Sequence, residues 1–253
     1  MEQTRSDKRR LAGEATRERL LSAAERVFAQ KGYDGAGTRE LAEAAGADVA
    51  MIVYHFGSKL GLYREVMTRR ARPLNDKRLA ELDRVLEASK GRPELADVIH
   101  ALVASNIRMR SDPEMGGLPV ARLIAREMID PEQPDRHTIA EMFDTLAARF
   151  VAAIKLALPG TEDEPLYWAY HFAISAMVQT MANVGRLEEL SGNVCDMSDS
   201  ERVIEHLVPF IVAGVRACAQ LPGIATPAPR KAVAAKGAKR PVRAAAKTTQ
   251  RAR

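Results

Sequence analysis

Apolar residues recur three and four positions apart along most of this chain, and no segment shows the sustained alternation of a β-strand. In the segment 16–31, for example, Leu21 and Phe28 fall on one helical face. Thr16 is placed to cap this helix and Gly32 to end it. Gly and Pro separate the later segments, which predicts helices near 59–89 (bent or interrupted at Pro73), 93–111, 117–130, 135–158, 163–190 and 199–220. The sequence therefore predicts an all-α fold.

Three short predicted helices follow one another in the first quarter of the chain. The second, 38–45, ends at Gly46, a residue that readily takes the left-handed conformation after a helix. Asp48 is placed to cap the third helix, which runs to about Phe56, and Ser58 to cap a fourth. This layout is typical of a helix-turn-helix, which presents its third helix to a major groove of DNA.

Several polar side chains of this region are expected to face a DNA backbone. Tyr54 and His55 on the third helix, and Lys59 at the start of the fourth, carry donors that suit phosphate oxygens. Thr38 and Arg39 begin the second helix and suit the opposite strand. The alternative for any one of them is an ordinary solvated surface residue. The whole set in this order favours DNA binding.

Three smaller residues of the third helix are expected near base edges. Ala50, Met51 and Val53 are expected to point outward or toward the groove wall. Valine cannot form a hydrogen bond with a base edge, so readout there would be apolar, for instance against a thymine methyl group. The sequence of the operator therefore stays open.

Spaced motifs in this region resemble the TetR family of bacterial repressors. The matching segments are Phe28–Tyr33, Thr38–Ala42, Ala45-Gly46 and Tyr54–Tyr63. The resemblance implies an all-α homodimer with an N-terminal three-helix helix-turn-helix domain and a C-terminal helical ligand-binding and dimerisation domain. It also implies release from double-stranded operator DNA when a small organic effector binds. It assigns phosphate contacts to Thr38, Tyr54, His55 and Lys59, and positions near bases to Ala50, Met51 and Val53.

The C-terminal part carries a weaker resemblance. Leu123–Met128 followed by Asp130-Pro131 resembles a motif of the CecR-type C-terminal domain, which implies a fold and no particular ligand. For the apolar candidate effector contacts the alternative is ordinary core packing. For His171 the alternative is a core hydrogen bond. The candidates are Asn106, Ile107, Arg122, Met128, Phe143, Phe150, Trp168, His171 and Phe172.

The last two predicted helices, 163–190 and 199–220, carry more apolar surface than one small domain covers. The family resemblance implies that they form a four-helix dimer interface. A two-fold dimer in turn predicts a roughly palindromic operator.

The net charge of +5 is unevenly distributed. The segment 222–253 holds nine Lys and Arg residues and no acid, and removing these nine from 38 leaves 29 basic against 33 acidic side chains. We expect a disordered basic tail there. It suggests an alternative function, that of a weakly specific architectural protein that coats DNA. The expected domains are a flexible arm (1–15), the helix-turn-helix (16–63), the effector and dimerisation domain (64–221) and the tail.

Nothing in the sequence indicates an enzyme. It contains no nucleophile elbow, zinc-protease motif, phosphate-binding loop or dinucleotide fingerprint, and its five histidines are scattered. We therefore expect no cofactor and no metal. The uncharged stretch 165–185 contains His, Ser, Gln, Thr and Asn, which are costly in lipid, so a buried helix is favoured over a membrane span. Two isolated cysteines fit the reducing cytoplasm.

Overall fold

The computed structural model describes residues 2–129, 136–182 and 185–223, and the regular elements of these ranges are helices, which confirms the all-α prediction. A short 3-10 turn, Met109–Ser111, extends the fifth helix. In chain order the helices are α1 (Glu2–Gly35), α2 (Thr38–Ala44), α3 (Val49–Phe56), α4 (Lys59–Ala88), α5 (Leu95–Arg108), α6 (Gly117–Ile129), α7 (Arg136–Ala157), α8 (Asp163–Ala182), α9 (Arg186–Leu190) and α10 (Ser200–Ala219).

The first helix starts earlier than the sequence pattern predicts. It begins at Glu2, so the segment expected to be a flexible arm is helical from its second residue. The hydroxyl of Thr16 donates to the carbonyl of Ala12 (2.9 Å) within this helix, so Thr16 is not its cap. The extension contains many good helix formers and no proline. Gly32, with φ +71°, interrupts the helical dihedrals near the predicted end.

The N-terminal helices pack around fully buried apolar side chains. Leu20 and Phe28 of α1 contribute to this core, together with Leu41 of α2, Ile52 of α3 and Leu62 of α4. The side chains from α1 and α4 come from the apolar positions of the helical pattern. This packing gives α3 one buried face and leaves its other face to solvent.

The fourth helix runs through Pro73, so of the two predicted possibilities, a bend or an interruption, the interruption is wrong. Pro73 is exposed, and the loss of one hydrogen bond on a solvent-facing side of a helix is tolerated when packing fixes the other side. Leu74 and Leu82 provide that buried side. The helix therefore connects the N-terminal helices to the C-terminal bundle.

The C-terminal bundle is built around α5, whose residues Val98, Ile99 and Leu102 are fully buried against α4, α7, α8 and α10. The predicted helix 163–190 is divided into α8 and α9, and Gly185 before α9 takes a left-handed φ of 75°. Among the helices that the structure describes, none is both long enough and apolar enough to cross a membrane. The predicted basic tail from residue 224 onward and the Asp130-Pro131 motif lie outside the described residues.

Candidate nucleic-acid interface

The third helix has one face in the core and one face in solvent. Ile52 is completely buried, whereas Val53 and Tyr54 are 59% and 78% exposed. Ala50 is also exposed, and Met51 is half-buried against the core. An exposed face with large side chains on a short, well-anchored helix is the arrangement that enters a DNA groove.

The predicted N-terminal caps fix the starts of α3 and α4. The carboxylate of Asp48 accepts a hydrogen bond from the backbone N–H of Ala50 (2.7 Å), and the hydroxyl of Ser58 accepts one from Gly61 (3.0 Å). Gly61 is required for the second turn, because a Cβ there would overlap the carbonyl oxygen of Phe56. These contacts set the angle between α3 and α4 and thus the presentation of Tyr54.

The turn between α2 and α3 has the predicted left-handed glycine. Gly46 has φ +60°, and the N–H of Ala47 returns to the carbonyl of Ala42 (3.0 Å). On this side, Thr38 is half-buried at the first position of α2 and Arg39 is exposed. The second and third helices therefore offer outward-facing residues on either side of one tight turn.

Lys59 is held by an aromatic side chain that sequence reasoning did not assign a role. Its ammonium nitrogen lies 4.2 Å from the centroid of the Tyr33 ring, a cation–π contact. Tyr33 in turn packs edge-on against Tyr63 (5.1 Å between centroids), and Tyr63 packs against Phe28 (4.9 Å). Phe28, Tyr33 and Tyr63, which belong to the segments that resemble the family, therefore position the Lys59 ammonium at the start of α4.

His55 is only half-buried, but its Nε2 atom is enclosed and has no hydrogen-bond partner in the described ranges. The ring lies edge-on to Tyr54, with 4.8 Å between the ring centroids. A phosphate contact from His55 therefore has to use Nδ1. This restriction depends on packing and has no signal in the sequence.

Ion pairs and one close contact connect the helices of this region with one another and with later helices. Lys31 donates to Glu40 at 2.5 Å, and this hydrogen bond holds the pKa of Glu40 below its ordinary value. Arg70 of α4 binds Glu25 of α1. The guanidinium of Arg126 on α6 lies against Gly32, where a Cβ would overlap its Nη1 atom. The sixth helix thus contacts the end of α1.

The nine predicted effector contacts do not form one group. Asn106, Ile107 and Phe150 are buried inside the C-terminal bundle. Phe143 and Met128 are half-buried, and Arg122 is exposed with its Nε donating to the carbonyl of Ala182 (2.9 Å). The remaining three are exposed on α8, and their rings contact one another: Trp168, His171 and Phe172. The core hydrogen bond considered as the alternative for His171 is not present among the described residues of the single chain, and the assignment of the nine residues to effector binding stays a prediction. On a solvent-facing side of α8, aromatic spacing alone does not distinguish interior from exterior.

A buried polar residue that sequence reasoning missed lies among the interior residues. Arg78 of α4 is 1% exposed and contacts Phe150 and the backbone of Leu102. Its position four residues from both Leu74 and Leu82 is the signal that could have identified it. The charged residues around it in the sequence conceal that spacing.

Comparison with known families identifies two matching regions. The family described as bacterial regulatory proteins of the tetR family matches residues 20–66. The family described as the tetracyclin repressor-like C-terminal domain matches residues 100–214. The two regions together cover more than half of the chain. The narrower CecR-type resemblance stays a prediction.

Curated relatives are transcriptional regulators. The HTH-type transcriptional repressor AcnR of Corynebacterium efficiens is 35% identical over 103 residues, which are 39% of this chain and 53% of AcnR. The HTH-type transcriptional activator FasR of Mycolicibacterium smegmatis is 43% identical over 60 residues, 24% of this chain and 27% of FasR. This chain therefore spans about half the length of AcnR, and less of FasR.

A solved structure has a similar fold over most of the chain. FadR from Bacillus subtilis, a transcriptional regulator crystallised in complex with stearoyl-CoA, aligns with a TM-score of 0.54 at 14% identity. The alignment covers 78% of this chain and 98% of FadR. At this identity the likeness shows the fold alone.

Proposed function

Because the chain belongs to the TetR family of bacterial regulatory proteins, we propose that it is a homodimeric, sequence-specific repressor that a small organic effector releases from operator DNA. The observation that carries the proposal is the exposed face of α3, where Val53 and Tyr54 project from a helix anchored by Ile52. We assign DNA binding to residues 16–63, and effector binding and dimerisation to residues 64–221.

The proposed DNA contacts fall into two groups. Thr38, Arg39, Tyr54, His55 and Lys59 bind phosphate oxygens and position the protein without choosing a sequence. In the second group, side chains of α3 lie close to base edges and select the sequence: Ala50, Met51 and Val53. The apolar character of that group favours contact with thymine methyl groups.

The proposed dimer interface lies on α8 and α10. Trp168 and Phe172 of α8 and Phe210 of α10 are large apolar side chains that are exposed in the single chain. Their burial against the same face of a second copy contributes roughly 25 cal/mol for each Å² of apolar surface removed from water. A two-fold dimer of this kind reads a palindromic operator.

Effector release is proposed from the contacts between the two parts of the chain. Arg126 of α6 lies on Gly32, and Arg70 donates to the carbonyl of Glu114 (2.8 Å) just before α6. A displacement of α6 by a ligand would therefore reach α1 and α4 directly. FadR, which has this fold, was crystallised with stearoyl-CoA, and AcnR carries the name repressor. A regulator of this kind acts in the cytoplasm.

Selection of bound duplexes from random DNA tests the proposal. We expect enrichment of one two-fold symmetric sequence, followed by dissociation of that complex by a member of a library of small organic compounds. Recovery of duplexes without a shared sequence would contradict the proposed specificity. A complex that no compound dissociates would contradict effector release alone.

The architectural alternative is supported by one observation, the nine basic residues without any acid in 222–253. Such a segment contributes sequence-independent affinity through counterion release. Under that alternative, removal of the tail abolishes most DNA binding, whereas the helix-turn-helix contributes little.

A further inference from the structure

The interior of the C-terminal bundle contains a cation with incomplete hydrogen bonding. Arg78 of α4 donates from Nε to the carbonyl of Leu102 on α5 (2.9 Å) and from Nη1 to Asn75 Oδ1 (3.4 Å). Its Nη2 atom is enclosed and has no partner among the residues that the structure describes. A guanidinium has five N–H donors, so several of them are unused here.

No carboxylate from the described ranges binds this guanidinium. Two other arginines that join helices are paired with carboxylates, Arg108 with Glu201 and Arg70 with Glu25. Around Arg78 the compensation consists of the Phe150 ring, with the guanidinium carbon 5.6 Å from its centroid, and the phenol of Tyr170. Neither supplies a full negative charge.

Burial acts against the charged form of Arg78. Desolvation lowers its pKa to about 10, and the nearby Tyr170 only partly opposes that effect. The side chain therefore remains a cation at neutral pH. Because the folded pKa is below that of the unfolded chain, this charge opposes folding at neutral pH. A buried charge without a counter-ion is costly, and an anion bound next to Arg78 would offset that cost.

A second polar atom without a partner lies nearby on α5. Asn106 follows Leu102 by one helical turn, and its Oδ1 is enclosed without a hydrogen bond in the described part of the chain. Its Nδ2 atom is 3.3 Å from the sulfur of Met181 on α8. Two polar groups of the interior therefore lack a partner among the described residues, the cationic donor of Arg78 and the neutral acceptor of Asn106. Arg78 contacts α5 at Leu102, one helical turn before Asn106.

From this geometry we infer that the effector is a small organic monocarboxylate whose carboxylate binds Arg78, with an apolar body among α4, α5, α7 and α8. The inference rests on the proposed function, since it names the ligand class of the proposed effector domain. One guanidinium balances one negative charge, whereas a phosphate dianion leaves an excess charge buried. The neighbouring Ile99, Leu102 and Phe150 are fully buried and apolar, which favours an aliphatic body.

The site is closed in this structure, because the free Nη2 atom is enclosed. Binding therefore separates the side chains around Arg78 and displaces α4, the helix that begins with Lys59. A carboxylate effector thus acts on the same helix that carries a proposed phosphate contact. A hydroxyl or amide donor on the ligand body would satisfy Asn106.

The test uses the full chain without DNA, with sodium n-alkanoates of four to twelve carbons as probes and the n-alkanols of equal length as uncharged controls. Thermal unfolding is followed by circular dichroism. We expect at least one alkanoate to raise the Tm by roughly 5–10 °C at a hundredfold excess over its Kd, and no alkanol to do so. Alkanoates that raise the Tm no more than alkanols overturn the inference.

Three variants show whether Arg78 is responsible. Arg78→Met should lose the alkanoate shift while its own Tm without ligand equals or exceeds that of the wild type. Arg78→Lys keeps the charge and should keep part of the shift. Arg110→Met is the matched control. Arg110 is also buried, and its Nε and Nη1 atoms likewise lack a hydrogen-bond partner in the described ranges, but the Glu188 carboxylate lies nearby and Nη2 donates to the Met197 carbonyl. This control variant should keep the whole shift. An undiminished shift in Arg78→Met overturns the inference.

DNA release is measured separately by fluorescence anisotropy of the selected operator. An alkanoate that raises the Tm and also releases DNA supports both proposals. A Tm shift that depends on Arg78 without release supports the carboxylate site and contradicts the proposed effector mechanism.

Discussion

The guanidinium of Arg70 on α4 donates two hydrogen bonds of 2.7 Å to the two carboxylate oxygens of Glu25 on α1. The side chains are only 17% and 12% exposed, so solvent screens this pair less than the others at the surface. A third hydrogen bond from Arg70 reaches the Glu114 carbonyl ahead of α6. The pair therefore joins three parts of the chain that the proposed switch requires to move together.

Replacing Arg70 by Met should destabilise the fold, because it leaves the Glu25 carboxylate partly buried without its counter-ion. We expect a loss of about 2 kcal/mol in the free energy of unfolding, below the value for a fully buried pair since both groups keep some solvent contact. Urea denaturation measures it. Arg202→Met, which breaks the exposed pair with Glu205, is the control and should cost roughly 0–1 kcal/mol. Equal losses in the two variants would contradict the special role of the Arg70–Glu25 pair.

Replacing Lys59 by Ala should weaken binding to every DNA sequence alike, because its proposed contact is a phosphate. The number of counterions released on binding, which the slope of log affinity against log salt gives, should fall by about one. Titration of labelled operator and of random duplex at several salt concentrations measures both. Lys77→Ala removes the same charge from a later turn of α4 and should leave the slope unchanged. A loss confined to one base pair would contradict the phosphate assignment of Lys59.

Replacing Val53 by Asn should change which sequence is preferred, because an amide on the exposed face of α3 can form hydrogen bonds that valine cannot. Selection of bound duplexes with the variant and the wild type gives the two preferences. We expect a changed base at one position in each half-site, with a discrimination of roughly 1–3 kcal/mol. Identical selected sequences would show that Val53 does not approach the bases.

Most of the helix-turn-helix follows from local sequence signals. The caps at Asp48 and Ser58 and the left-handed Gly46 depend on residues within a few positions of each other, and the structure has all three as predicted. The roles of Tyr33 and Arg70 were not predicted. Tyr33 contacts Lys59, which lies 26 positions later, and Arg70 contacts Glu25, which lies 45 positions earlier. Tertiary packing sets such distant pairs.

The effector region was less predictable because its helices are apolar on more than one side. Trp168 and Phe172 lie on the exposed face of α8, while Met177 of the same helix is fully buried. Hydrophobicity gives the same signal for a core and for a surface that covers a partner. Arg78 was missed for the opposite reason, since a charged residue is rarely expected at a fully buried position.

The pair between Arg108 on α5 and Glu201 on α10 should make stability depend on pH. The hydrogen bond from Arg108 holds the pKa of Glu201 below its ordinary value. A lowered pKa in the folded state stabilises the fold above the ordinary pKa of a glutamate, and this contribution is lost as pH falls through the lowered value. Glu201→Gln should therefore lower the Tm slightly at pH 7, with the difference disappearing in acid. A difference that persists below the lowered pKa would contradict this assignment.

The most direct test of the account is the ratio of affinities for the selected operator and for a scrambled duplex, measured with the full chain and with a chain ending at Gly223. This deletion removes the nine basic residues of the tail and keeps every described helix. We expect an unchanged preference for the operator and a shallower salt dependence, because the proposed specificity lies on α3 and the tail adds only sequence-independent affinity. A ratio that falls to about one on deletion would contradict it and favour the architectural alternative.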